Sequence, residues 1–163
     1  MKKCAFFSVL FLLCLAARLP ASDSFASKAL FIGLGTELNA YSRQNAAAGG
    51  GFFAGFDLNR YFAAGLKIGF FHNMGTIATL EPLAFFRYYI LRQQRPPGLG
   101  GFFVQAETGY AACFEYGEAF HAFSGGLSAG WRIVTKNWGI EPAVRFGYPY
   151  IWGAGITAGY RFL

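Results

Sequence analysis

Hydrophobic and polar side chains alternate at every second position along most of the chain after residue 28. A period of two indicates β-strands with two different faces, because successive side chains of a strand point to opposite sides of the sheet. In the last segment, one face carries Ile156, Ala158 and Tyr160, and the other carries Thr157 and Gly159. Eight such segments are found, at residues 30–41, 52–58, 64–70, 78–90, 102–110, 127–133, 140–147 and 154–162.

The charged residues of these segments fall on one face only. The apolar faces contain no Asp, Glu, Lys or Arg, and the opposite faces contain Glu37, Asp57, Lys67, Glu81, Arg87, Glu107, Arg132, Glu141, Arg145 and Arg161. A soluble lipocalin-like barrel would have to solvate its whole outer surface with about one charge per strand. We therefore predict an all-β fold, an eight-stranded antiparallel up-and-down transmembrane β-barrel, with lipid on the apolar faces and the ten charges in the lumen.

The composition fits this prediction and argues against a helical membrane bundle. Aromatic residues make up 20% of the chain and charged residues only 13%, whereas ordinary soluble domains contain about 25% charged residues. A membrane-spanning helix needs about 20 consecutive apolar residues. The longest such run, residues 4–17, has 14 residues and contains a serine.

That first apolar run has the features of a signal peptide. Lys2 and Lys3 precede it, and small residues suited to cleavage follow at Ala21 and at Ala26. We expect a cleaved signal peptide at residues 1–26 and a barrel domain at residues 27–163, with cleavage after Ala21 left open. Cleavage after Ala26 lowers the formal charge from +6 to +4 and leaves Cys113 as the remaining cysteine.

Two parts of the chain resemble a known group of membrane barrels. Residues 104–110 and the C-terminal stretch from residue 141 to residue 163 resemble the small outer-membrane domains of the OmpA/OmpX/OmpW-like group. The resemblance implies insertion in a cell outer membrane, contact with its lipids and recognition by the barrel-assembly machinery. The assembly signal is implied at Tyr160 and Phe162, where Phe162 is followed by Leu163.

An even number of strands places both chain ends on the periplasmic side. Periplasmic turns are then expected near residues 59–62, 91–101 and 135–138. External loops are expected near residues 42–51, 71–77, 113–123 and 148–153. Because proline removes a hydrogen-bond donor from a sheet, we expect Pro82 and Pro142 near strand ends or bulges.

The lumen of an eight-stranded barrel is just wide enough for side chains to fill it. The five acids and five bases predicted there sum to zero, and Phe53, Phe85 and Phe103 point the same way. We expect a plugged polar lumen and a structural or envelope-maintenance role. The resemblance to OmpW-like barrels implies an alternative, a narrow channel or lateral gate for small or hydrophobic solutes with Tyr41, Phe53 and Phe71 in the upper lumen. Surface adhesion also stays open.

The hypothesis of a lipid-modifying enzyme depends on the two histidines, which are the candidate general bases. His72 and His121 are both expected in external loops, near Glu115, Glu118 and Ser124 in sequence. A general base needs a nucleophile and an orienting group within hydrogen-bond reach, and this spacing matches no acyltransferase or deacylase pattern. The histidines and the cysteine also lack the spacing of a metal site. We expect no enzyme activity, no cofactor, no metal and no nucleic-acid partner.

Overall fold

The computed structural model describes residues 29–40, 46–59, 61–73, 75–93 and 100–162. The predicted signal peptide, Tyr41 and Leu163 lie outside these residues. Eight strands are formed: β1 Leu30–Ala40, β2 Ala46–Asp57, β3 Phe62–Asn73, β4 Ala78–Gln93, β5 Gly100–Glu115, β6 Glu118–Thr135, β7 Trp138–Tyr148 and β8 Trp152–Phe162. Among the described residues, no helix is both long and apolar enough to cross a membrane.

The strands form one closed barrel in sequence order. Each strand pairs antiparallel with the next, and β8 closes the sheet on β1 through pairs such as Leu30 with Phe162 and Ala40 with Trp152. Closure removes the unpaired sheet edges that would otherwise expose backbone polar groups to lipid. The predicted eight-stranded, antiparallel up-and-down barrel is confirmed.

The register shows how strongly the strands tilt. A path of paired residues that leaves β6 at Ala129 returns to β6 at Ala119, ten residues away. The path runs through Val144, Ala154, Leu38, Ala48, His72, Ala78 and Phe114. A stagger of this size requires strands inclined by about 35–45° to the barrel axis. It also lifts the end of the β5–β6 pair beyond the ends of the other strands.

The two faces of the strands are sorted as the alternation predicted. Large apolar side chains such as Leu34, Leu66 and Leu127 are about two-thirds exposed on the outside. Outward-facing strand positions in the described part carry no Asp, Glu, Lys or Arg, the side chains of residues 91–93 aside. An apolar band of this kind is what a lipid environment requires.

Two of the predicted external loops are wrong in extent. Residues 113–123 form the continuous ends of β5 and β6, joined by a two-residue turn at Tyr116 and Gly117. Both turn residues have positive φ, 49° and 88°, as the type I′ hairpin turn requires. The alternation of apolar and polar residues is weaker there, because a strand beyond the lipid band has no lipid-facing side that must be apolar. Likewise β2 begins at Ala46, within residues 42–51, which were expected to form an external loop.

The two prolines lie inside strands, and their predicted position near strand ends or bulges is wrong. Pro82 pairs with Ile68 and Pro142 pairs with Ile156, and both rings are exposed on the outer face. Glu81 and Pro82 have no paired residue on β5, and Glu141 and Pro142 have none on β6. In both places the register is the same before and after the gap. The bulge of β4 lies instead between Tyr89 and Leu91.

Candidate functional site

The lumen gathers all ten charged residues that the sequence placed on the inner faces. Seven are buried, and Glu37, Lys67 and Arg161 are partly exposed. With the neutral side chain of Gln105, the ten form one connected set of ion pairs and hydrogen bonds, which we call the lumenal network. It has a lower part toward the barrel end that holds residues 29 and 162, predicted to be periplasmic, and an upper part toward the β5–β6 turn, predicted to be external.

The lower part contains three arginines and two acids. Arg161 Nε lies 3.1 Å from Asp57 Oδ2, and Arg132 Nη1 lies 3.7 Å from Asp57 Oδ1. Arg132 also pairs with Glu141 through its Nε. Arg87 binds the same carboxylate with both terminal nitrogens, Nη1 at 3.0 Å and Nη2 at 2.9 Å. This two-point geometry is the strong form of an arginine–carboxylate pair.

The upper part contains three acids and two bases and is organised around Arg145. Its Nη1 donates to Glu81 Oε2 at 2.7 Å, and its Nε lies 3.2 Å from Glu107 Oε2. The same guanidinium lies 3.7 Å from Glu37, whose second oxygen accepts from Lys67 Nζ at 2.7 Å.

Gln105 joins the two parts. Arg87 Nε donates to Gln105 Oε1 at 2.8 Å, and Gln105 Nε2 donates to Glu107 Oε1 at 2.7 Å. The carbonyl end therefore faces the part with the excess positive charge, and the amide end faces the part with the excess negative charge. Ser128 supports this junction by donating to the same Glu107 oxygen at 2.8 Å.

Several of these contacts cross the barrel instead of following its wall. Arg145 and Glu141 of β7 reach Glu81 and Arg87 of β4, which is separated from β7 by two strands on one side and four on the other. Asp57 of β2 reaches Arg132 of β6, directly opposite. Removing one member of such a buried pair leaves an uncompensated charge. The network therefore joins strands on different sides of the lumen.

Aromatic rings fill the lumen around the lower part. Phe31, Phe53, Phe85, Tyr89 and Phe103 form one buried cluster with Ala63. The guanidinium of Arg87 lies 4.0 Å from the ring centre of Phe103, and that of Arg132 lies 4.4 Å from the ring centre of Phe31. Cations over ring faces are favourably placed. The prediction that Phe53, Phe85 and Phe103 point inward is confirmed.

A small cavity remains in the upper lumen, with a volume of about 70 Å³. Phe71 and Gly51 are among the residues around it, together with Glu37, Lys67 and Arg145 of the network. Toward the external end, Phe71 packs edge-on against Tyr150 at 5.3 Å between ring centres, and both are fully buried with Ala47. A cavity needs at least about 10–15 Å³ to hold one water molecule, so this cavity is large enough for water.

The histidines do not form a catalytic group with their sequence neighbours. His72 lies in β3 and His121 in β6, so their predicted place in loops is wrong. His121 is on the outer face, stacked on Tyr110 at 5.3 Å. Ser124, three residues further on, faces the lumen and donates to Glu81 at 2.8 Å. Within the described part of the chain, no group of three or more His, Cys, Asp or Glu is placed to hold a metal ion.

The residues of the expected assembly signal lie on the outer face of β8. Tyr160 is partly buried and Phe162 is exposed, and their rings meet edge-on at 4.9 Å. Sequence reasoning did not assign Gln105, Ser124 or Ser128 to the lumenal network, nor Tyr150 to the buried aromatic residues, and it considered Ser124 only as a neighbour of the histidines. The first three fall on inner-face positions of the same alternation, so uncharged polar residues at those positions were the available signal.

Comparison with known structures identifies the fold. No family model and no curated protein matches the sequence. The structure of Neisserial surface protein A superposes with a TM-score of 0.60 at 17% identity, covering 83% of this chain and 97% of that one. The N-terminal β-barrel domain of OprF from Pseudomonas aeruginosa superposes with a TM-score of 0.54 at 16% identity, covering 84% and 99%. The chain thus has the fold of the small eight-stranded outer-membrane β-barrels.

Proposed function

We propose that the protein is an integral outer-membrane barrel with a closed lumen and a structural, envelope-maintenance role. The observation that carries this proposal is the lumenal network, in which all ten inner charges join across the barrel. A conducting pore needs a continuous wet path, whereas ion pairs between β4 and β7 cross the axis here. Single-channel conductance of the refolded protein tests the proposal directly.

The outer membrane is the proposed location because the fold and the outer surface agree. The two similar structures named above are small barrels of this type. The outer face carries an apolar band with tyrosine and tryptophan near strand ends, including Tyr61 and Trp138 on one rim and Tyr148 and Trp152 on the other. Aromatic girdles flank the lipid band of such barrels. Cell fractionation with a tagged chain tests the location.

Two partners follow from this location. The lipids of the outer membrane cover the apolar band, and the barrel-assembly machinery recognises the end of β8 through Tyr160 and Phe162. Both aromatic side chains face outward, where a recognition factor could reach them before insertion. Replacing Phe162 with Ala should slow insertion in cells while leaving refolding in detergent unchanged. Equal insertion rates for the parent chain and Phe162→Ala would mean that Phe162 is not part of the assembly signal.

Passage of small or hydrophobic solutes is the second candidate, and the upper cavity is the observation in its favour. Phe53, Phe71 and Phe85 give it an apolar side. However, the Phe71–Tyr150 contact lies above it and the Arg87–Gln105 contact below it. A solute path would need at least one of these contacts to open, so the closed barrel is favoured.

A further inference from the structure

On the side that faces β7, the first residues of β6 have no neighbouring strand in the described part of the chain. β6 pairs with β5 from Glu118 onward, but its first partner on β7 is Tyr148, which pairs with Gly125. Among the described residues, no strand lies beside residues 118–124 on that side. Ser124 is held by the bond from its hydroxyl to the Tyr148 carbonyl, 3.1 Å. We call residues 118–123 the open edge.

The turn geometry identifies which backbone groups of the open edge are unpaired. A two-residue type I′ turn makes the flanking residues Glu115 and Glu118 a hydrogen-bonded pair. In an antiparallel ladder, the backbone groups of successive residues point to opposite sides. The N–H and C=O of Ala119, His121 and Phe123 therefore point away from β5. They offer three donors and three acceptors to an added strand.

The open edge lacks the features that natural proteins use to prevent strand addition. Exposed edges are normally kept short or protected by lysine, proline or a bulge. This edge is six residues long and contains no lysine and no proline. Phe120 and Phe123 are 53% and 66% exposed along it, and Tyr116 is 84% exposed at the tip. Apolar side chains exposed beside an unpaired strand favour binding of another chain.

The charge at the tip defines the chemistry of the partner. Glu115 and Glu118 stand directly opposite each other, an unfavourable arrangement for like charges across two strands. They are the only charged residues between positions 111 and 123. A basic side chain placed between them would relieve their repulsion. The partner is thus expected to combine a lysine or arginine with apolar residues.

A second copy of the chain in the same membrane does not fit the open edge. Copies related by a twofold axis along the membrane normal both run their β6 strands toward the membrane. An antiparallel ladder between the two open edges is then impossible. The occupant must be a segment free to take its own direction.

We propose that the open edge binds an extended, basic and apolar segment of another protein by antiparallel strand addition. Backbone hydrogen bonds to residues 119, 121 and 123 supply the affinity, and Glu115 and Glu118 select the basic residue. The inference goes beyond the structural role proposed above. It rests on that proposal only for the direction in which the hairpin faces, toward the outside of the cell.

Binding is tested with the refolded protein in detergent and an eight-residue peptide of alternating lysine and valine. Fluorescence anisotropy of the labelled peptide gives the Kd. His121→Pro removes a donor that points to the open edge, whereas His121→Ala keeps it and loses the same imidazole contact with Tyr110. Proline should weaken binding about tenfold and alanine less than about twofold. Equal Kd values for the two variants would overturn strand addition.

Two further measurements keep the test independent of the fold of the proline variant. The same peptide, N-methylated at alternate residues on one edge, should lose binding to the unmodified protein while its charge and apolar content are nearly unchanged. The double variant Glu115→Gln with Glu118→Gln should weaken the lysine peptide several-fold and leave a serine–valine peptide unaffected. Undiminished binding of the methylated peptide would indicate simple apolar adsorption and contradict the proposal. No detectable binding of the unmethylated peptide would contradict it as well.

Discussion

Arg145 of β7 and Glu81 of β4 face each other across the barrel, with Nη1 and Oε2 2.7 Å apart. They are 64 positions apart in sequence, and no pairing of adjacent strands brings them together. The contact exists because the barrel closes and both side chains point to its axis. Glu81 is fully buried, so its charge depends on this partner and on the hydroxyl of Ser124.

Glu141 should be essential for the stability of the lower part of the network. It is the shared partner of Arg87 and Arg132, so Glu141→Gln leaves two buried arginines with weakened compensation. We expect a loss of about 3–5 kcal/mol in the free energy of unfolding. The measurement is urea-induced unfolding in lipid vesicles, followed by tryptophan fluorescence.

The matched control for this variant is Glu118→Gln, at the exposed tip of the β5–β6 hairpin. The same chemical change there should alter the free energy of unfolding by less than about 0.5 kcal/mol. A loss for Glu141→Gln as small as that for Glu118→Gln would mean that the lumen is wet enough to solvate single charges. The network would then not be needed to hold the barrel shut.

The orientation of Gln105 gives a prediction about coupling. Gln105→Glu replaces the amide that donates to Glu107 with a carboxylate, so two negative groups meet at the junction. We expect a loss of about 1–3 kcal/mol. Adding Glu107→Gln restores a donor–acceptor pair in the reverse direction, while Arg87 still faces an acceptor at position 105.

A double-mutant cycle measures this coupling. The double variant should be less destabilised than the sum of the two single variants by about 1 kcal/mol or more. Strictly additive losses would mean that Gln105 does not connect the two parts of the network.

Tight packing inside the barrel predicts that Gly65 cannot be enlarged without cost. A Cβ at this position would lie 2.7 Å from the ring of Phe85 and 2.6 Å from the backbone of Gly55. Gly65→Ala should therefore lower the free energy of unfolding by about 1–3 kcal/mol. Gly75→Ala is the control, because its nearest neighbour would be Asn73 Oδ1 at 3.4 Å in an exposed turn. If both glycines tolerate alanine equally, the lumen is looser than described.

The lipid band can be tested by a substitution whose effect on the free energy of unfolding depends on whether the residue faces lipid or water. Leu66 points outward in the middle of β3 and is 64% exposed. Leu66→Arg should cost about 2–4 kcal/mol if the residue lies near the middle of a membrane. In a soluble barrel the same change on a water-facing surface would be neutral. Tyr116→Arg at the exposed tip is the control and should be neutral in either case.

Alternation in the sequence was enough to predict the strand number, the barrel and the faces of the strands. It worked because lipid and lumen impose opposite demands on neighbouring residues. The same rule failed for β2 before Phe52 and for the β5–β6 hairpin, where glycine-rich or external strands are under no such demand. Pairings such as Arg145 with Glu81 could not be predicted, because they depend on the stagger of the barrel and on which side chains meet across it.

The central claim is that the lumenal network closes the barrel, and single-channel conductance in a planar lipid bilayer tests it most directly. The refolded protein is added to the bilayer, and insertion is verified separately by its heat-dependent change in gel mobility. The account predicts no steady current steps for the parent chain or for Tyr116→Ala at the tip. Steady steps in the parent, with a size or ion selectivity that changes in Arg145→Ala, would contradict it and make the ten charges the lining of a pore.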